Sequence, residues 1–371
     1  MNWRISPALI VACFLAASPH VTGACSAFLF GADGAALMAK NYDWHLGDGL
    51  LIINTSGVEK TALVGEGQTP AEWVSKFGSL TFNQYGRELP NGGMNEAGLA
   101  MEVMWLEATR YPPPGDRPSI GVLQWVQYCL DRFETVEEVA ASASALAVGG
   151  IANLHYLACD ARSHCAVIEF LEGKTSIRSG GTLPVPALTN NTYSSSLAFL
   201  NGSLGYGGEI LSTEGEGSLQ RFARVATAVN RSRARPSEES LAAALATLAD
   251  AAQTGRSRTR WSIVYDLGNR VVHFKTASNP KLRTVRLEGL KLDCPGPTLM
   301  LELDAPLEGD VTKELRVFSA EANIELIRST FGGTAFLGEE RNEMIRAVAD
   351  YPQGLVCTLQ TGSGGDGDRS R

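Results

Sequence analysis

No stretch of this sequence is dense in Lys or Arg with aromatics between them, and its formal charge of -8 comes from dispersed acids rather than from a block. A nucleic-acid partner is not expected from such a pattern. Long apolar runs are missing as well. The longest near the start, Ala8 to Ala17, is far short of the roughly 20 residues that a membrane span needs, and nothing later approaches that length. Histidine is scarce, five in 371 residues, which leaves few candidates for an imidazole base. The seven cysteines are too few for a disulfide-dense scaffold of this length.

What is there suits a globular protein. At 44% hydrophobic content the chain can bury a large core, as one big domain or two smaller ones. Residues 1–24 read differently from the rest: Arg4 is a positive start, Ala8 to Ala17 an apolar centre, and Thr22-Gly23-Ala24 a small-residue cleavage site. That is the pattern of a secretory signal, so the mature protein is expected to be exported, periplasmic or secreted, and without a membrane span. Export makes disulfides permissible. Cys13 leaves with the leader. If Cys25 is a free nucleophile, Cys129, Cys159, Cys165, Cys294 and Cys357 remain, an odd number. Cys129, in the apolar helical stretch Val122 to Leu130, is expected to be the buried free thiol. Cys159 and Cys165 flank a five-residue turn and are expected to pair across it, with Cys294 and Cys357 as the next pair.

Short apolar runs separated by turn residues predict hairpins at Gly31-Ala32-Asp33-Gly34, Asn95-Glu96-Ala97-Gly98, Asp160 to His164 and Leu267-Gly268-Asn269. Helices are expected over Ile120 to Phe133, after a capping box of Thr135 with Glu138, and over Leu241 to Ala251 behind a Ser237 cap. This order predicts an α+β fold with antiparallel sheets, organised as one domain. The Pro-rich segment Tyr111 to Pro118 is expected to be a rigid loop, and the Gly/Asp-rich end from 361 to 371 a disordered tail.

Cleavage after Ala24 would expose Cys25 with both a thiol and a free α-amine of ordinary pKa near ~8. Such an amine can take the thiol proton and later return it to a leaving amine, so no histidine base, metal or cofactor is required. Two other fates of Cys25 stay open at this stage. One is acylation as a lipoprotein or binding-protein anchor, although Thr22 stands where an aliphatic residue is usual. The other is a structural disulfide.

Beyond Cys25-Ser26, the chain carries Lys40-Asn41-Tyr42-Asp43-Trp44, Met94-Asn95-Glu96-Ala97-Gly98-Leu99, Leu188-Thr189-Asn190-Asn191, Gln220-Arg221-Phe222-Ala223-Arg224 and Thr259-Arg260-Trp261-Ser262. In this order the blocks resemble the choloylglycine hydrolase family, linear-amide hydrolases that include conjugated bile acid hydrolases and penicillin V acylases. The resemblance covers most of the chain after residue 24. It implies a four-layer αββα sandwich of two antiparallel sheets between helical layers, spanning 25–360, and a homotetramer acting on a small amide without a cofactor. It implies that Asp43 holds the N-terminal amine, that Asn190 helps form an oxyanion hole, and that Arg221 lowers the thiol pKa. Lys40 stands where many members have arginine, keeping the charge without the planar fork, and is taken with Trp44 and Trp105 as substrate-binding. Trp105 replaces an asparagine donor of the bile acid hydrolases. The Trp44 and Trp105 pair resembles the branch of penicillin V and N-acyl-homoserine-lactone acylases and suggests a slot for a phenyl ring or slender alkyl chain. The bile acid hydrolase reading is the alternative.

Overall fold

In a computed structural model, the described residues are 24–31, 36–202, 217–232, 239–337 and 341–358. The expected leader through residue 23, the Asp33-Gly34 turn, the Ser237 cap and the 361–371 tail lie outside them.

Strand Ser26–Phe30 pairs antiparallel with Leu37–Asp43 along its whole length, Ser26 opposite Asn41 and Phe30 opposite Leu37, which is the expected N-terminal hairpin. Leu37–Asp43 pairs on its other side with Thr259–Asp266, followed by Val271–Thr276 and Arg283–Arg286. Ala187–Leu188 and the short parallel strand Gly309–Asp310 complete a seven-stranded sheet. The second sheet has nine strands, all paired antiparallel. At its centre Leu154–Cys159, Ala100–Trp105, Gly92–Asn95 and Ser79–Asn83 lie side by side.

The sheets stack face to face, and the side-chain period of two decides which residue faces which layer. On Leu154–Cys159, Leu157 and Cys159 join the core between the sheets with Leu51, Phe82, Ile263 and Tyr265. Tyr156 and Ala158 point the other way, into a second core with Trp125, Leu130 and Val139. Those last three belong to helices Gln124–Arg132 and Val136–Ala145. Helices Ser218–Ser232 and Ser240–Asp250 pack on the outside of the seven-stranded sheet. The resulting order is helix, sheet, sheet, helix, the αββα sandwich that the resemblance implies.

Local chemistry explains the boundaries. Thr135 and Glu138 form the reciprocal capping box that starts Val136–Ala145. The helix expected from Ile120 begins instead at Gln124, because Ser119–Gly121 is drawn into a parallel pairing with Ala147–Gly149. In the turn after Gly92–Asn95, Asn95 Oδ1 accepts from the Ala97 and Leu99 N–H groups, and its Nδ2 donates to the Leu130 and Phe133 carbonyls at the end of the first helix. Gly98 there has φ +87° and lies so close to Leu267 that a Cβ would be 2.5 Å from its carbonyl oxygen, so only glycine fits. The Met94–Leu99 block thus works as scaffold.

Both expected disulfides form, Cys159 with its cross-strand partner Cys165 and Cys294 with Cys357. Cys129 is free and fully buried on the first helix. The Tyr111 to Pro118 segment is an irregular loop, and among the described residues no helix is long and apolar enough to cross a membrane.

Candidate active site

Cys25 stands at the head of the first strand, buried, with its thiol donating to the Asp43 main-chain carbonyl at 3.8 Å. The hairpin makes this contact, since the strand that begins beside Ser26 is paired with the strand that ends at Asp43. Burial pushes the Cys25 thiol up; the nearby Lys40 and Arg221 cations oppose that shift and the Asp43 charge adds to it.

Asp43 is fully buried and only half satisfied. Its Oδ1 accepts from the Thr259 hydroxyl at 2.5 Å, while Oδ2 has no hydrogen-bond partner. Burial raises its carboxyl to about 7, against the Thr259 hydrogen bond and the charges of Arg221 and Lys40. An unpaired carboxylate oxygen in the interior is costly, and the usual remedy is a cation or a donor.

The Thr259-Arg260-Trp261-Ser262 block holds this segment in place. Besides the Thr259 contact, the Arg260 guanidinium donates to the Trp44 and His45 carbonyls at 2.8 and 2.5 Å, and Trp261 Nε1 donates to the Gly47 carbonyl at 2.8 Å. Ser262 donates to Asn41 Oδ1 at 2.8 Å. A break in register between Thr259 and Trp261 leaves room for these turns of the chain.

Arg221, on helix Ser218–Ser232, reaches inward and is 2% exposed. Its guanidinium donates to Ser26 Oγ at 3.2 Å, the Cys25 carbonyl at 3.4 Å, Asn190 Oδ1 at 2.8 Å and Gln253 Oε1 at 3.4 Å. Asn190 is thereby brought to the same centre with its amide orientation set by Arg221. Its Nδ2 donates to the Trp105 carbonyl at 2.8 Å, and its main-chain N–H is taken by Ser218 Oγ at 2.8 Å. One Nδ2 hydrogen is therefore committed to the scaffold, and the second is the donor that the side chain can offer a substrate.

Lys40, expected at the substrate, is instead completely buried. Its ammonium donates to the Val103 carbonyl and pairs with Glu102 at 3.4 Å, and Glu102 in turn accepts from the Tyr265 hydroxyl at 2.6 Å. A buried cationic side chain between two sheets needs a carboxylate beside it, and Glu102 supplies one. Lys40 thus ties the sheets together behind Cys25 and reaches the thiol only through its charge.

A cavity of about 50 Å³ opens at Cys25, and Trp44, Trp105, Tyr85 and Phe336 are among its walls. The Trp44 and Trp105 rings lie 6.1 Å apart, and Phe336 meets Trp105 at 5.6 Å. Trp44 Nε1 donates to Tyr85 Oη and Trp105 Nε1 to Glu107, so neither indole N–H is directed at Cys25. Thr259, Gln253, Glu102, Tyr85 and Phe336 also belong to this neighbourhood, which the sequence does not announce. The Thr259 block alone carried a signal for one of them.

Among the described residues no histidine lines this cavity. Of the possible metal donors Glu137, Asp160 and His164, the last two belong to a hairpin turn and Glu137 to the first turn of helix Val136–Ala145, and Asp160 already accepts main-chain N–H groups of Val136, Arg162 and His164.

Asp43 has a measurable consequence for stability. Its folded pKa of about 7 lies above the ~3.9 of an unfolded chain, so its burial costs nothing below pH ~4 and progressively more as pH rises toward 7. A chain retaining Ala24 is expected to lose melting temperature across that window. A chain starting at Cys25 has an ammonium to pair with Asp43 and should lose less; equal slopes in a thermal-shift series from pH 4 to 8 contradict this.

No family model matches the chain. A penicillin V acylase of Pectobacterium atrosepticum is 35% identical over 130 residues, a stretch covering 30% of this chain and 35% of that protein, so the match spans about a third of the relative's length. The structure of a penicillin V acylase from Agrobacterium tumefaciens superposes with a TM-score of 0.71 at 25% identity, covering 80% of this chain and 98% of that one. A variant of the conjugated bile acid hydrolase from Clostridium perfringens shares the fold, with a TM-score of 0.60 at 17% identity over 75% of this chain and 96% of the other. The chain thus shares its sandwich with a penicillin V acylase and a conjugated bile acid hydrolase, and its ordered blocks around Cys25 resemble those of the choloylglycine hydrolase family.

Proposed function

We propose that the protein is an exported amidohydrolase that cleaves a linear carboxamide of the penicillin V or N-acyl-homoserine-lactone type, with Cys25 as nucleophile once the chain is cut after Ala24. The observation that carries this reading is the unpaired Oδ2 of Asp43, buried beside a cysteine at the start of the first strand. An α-ammonium created at Cys25 is the partner that this oxygen lacks. On this reading the chain divides into a leader at 1–24, a hydrolase body at 25–360 and a tail at 361–371, and it works as a homotetramer.

The α-amine takes the thiol proton, and the thiolate attacks the amide carbon. The second Nδ2 hydrogen of Asn190 steadies the resulting oxyanion. The C–N bond then breaks, the leaving amine takes the proton back from the α-ammonium, and the acyl group stays on sulfur as a thioester. Water, deprotonated by the same amine, releases the acid and restores the thiol. Arg221 fixes the Cys25 carbonyl and Asn190 while its charge favours the thiolate.

The acyl pocket supports the choice of substrate. Walls of Trp44, Trp105 and Phe336 suit a flat ring or a chain better than a rigid steroid. A hydrolysis panel of penicillin V, acyl-homoserine lactones and glycine-conjugated bile acids is expected to show the first two classes cleaved much faster. Preference for glycocholate would transfer the reading to the bile acid hydrolases with the Cys25 chemistry intact. Trp105→Ala should narrow the discrimination by about 1–3 kcal/mol, with less effect on the rate of a substrate that does not use the ring. An unchanged ratio would remove Trp105 from the pocket argument.

A further inference from the structure

Resting on that hydrolase reading, we infer that a second cavity beyond Phe336 receives the distal part of an unbranched alkyl acyl chain whose carbonyl is held at Cys25. The cavity at Cys25, about 50 Å³, has room for only a few water-sized atoms. Next to it lies a cavity of about 640 Å³, within the range of ligand pockets. The two share Tyr85, Leu123, Ala152 and Phe336 as walls, so these side chains are the partition between them. The large cavity is predominantly apolar. Ile120 and Val122 line one side, and Phe331, Met344 and Val348 of helices Ala320–Gly333 and Arg341–Asp350 line the other.

The occupant follows from continuity and chemistry. Trp44, Trp105 and Phe336 form a row of rings, 6.1 and 5.6 Å apart, leading from the Cys25 cavity to the partition. A group passing between Leu123 and Phe336 must be slender, must present no charge to the aliphatic walls, and must be attached to the carbon that Cys25 attacks. A linear alkyl chain meets all three conditions. A phenoxyacetyl group is shorter than a twelve-carbon chain and is expected to draw less on the second cavity.

The test is kcat/KM of the full exported protein for N-acyl-homoserine lactones with unbranched chains of C4 to C14, with penicillin V as the reference substrate. Each methylene moved into an apolar site is worth at most about fourfold. A rise of at least about tenfold from C6 to C12 is expected once the chain crosses the partition. Met344→Trp and Val348→Phe, which fill the large cavity without lining the small one, should abolish that rise and leave penicillin V hydrolysis within about twofold. Retained penicillin V turnover shows that each variant is folded. A profile that is flat or falls beyond C6 in the wild type, or a rise that survives in both folded variants, overturns the inference while the hydrolase reading stands. A wild-type protein that cleaves none of these amides overturns that reading and the inference with it.

Discussion

Cys25→Ala, processed so that residue 25 is the N-terminus, is expected to bring turnover to background, a loss of at least about a thousandfold, with the fold retained. The structural cost is small because the contacts that hold this end of the strand are not made by sulfur. Arg221 grips the Cys25 carbonyl and Ser26 Oγ, and the strand pairing from Ser26 to Asn41 is main chain. Only the long thiol contact with the Asp43 carbonyl is lost. Cys25→Ser should keep that contact and still be severely impaired, because a hydroxyl gives up its proton far less readily than a thiol. Turnover at the wild-type level by folded, correctly processed Cys25→Ala would remove the proposed mechanism entirely.

The second large effect concerns the bond before Cys25. A chain that keeps Ala24 carries an amide nitrogen there, which cannot accept a proton, so the thiol loses its base. The expected loss is about 10²- to 10⁴-fold, the usual contribution of a positioned general base. It should be recovered when the leader is trimmed, without any other change to the molecule. Asp43 adds a second reason: without the ammonium its Oδ2 stays unpaired and its carboxyl sits at about 7. Equal activity from trimmed and verified untrimmed protein would rule out the α-amine as base.

What could be read from the sequence was local chemistry. The hairpin that sets Asp43 beside Cys25, the Thr135 capping box and the disulfide across the Asp160 to His164 turn follow from neighbours within a few residues, where turn and strand preferences are strong. Contacts made over long separations were not legible. Thr259 and Asp43 are 216 residues apart, and nothing in either block states which hydroxyl meets which carboxylate. Lys40 reads as a positive charge standing where many members of the resembled family have arginine. Its partner, Glu102, lies on the facing sheet, and only the stacking of the two sheets decides that the ammonium turns there. Asn190 was visible as a side chain near the centre, but the use of one Nδ2 hydrogen by the Trp105 carbonyl depends on the backbone of another strand. Phe336 comes from a short turn near the C-terminal end, far from every quoted block, and carries no motif of its own.

The central claim is that Cys25 becomes the N-terminus and carries the acyl group during turnover. Rapidly quenched hydrolysis of penicillin V, followed by mass spectrometry of the N-terminal peptide, tests both parts in one spectrum. The expected peptide begins at Cys25 and gains the mass of one phenoxyacetyl group on that residue during turnover, absent before substrate is added. A peptide that begins elsewhere, a diacylglyceryl adduct on Cys25, or an acyl group found on a different residue would contradict it.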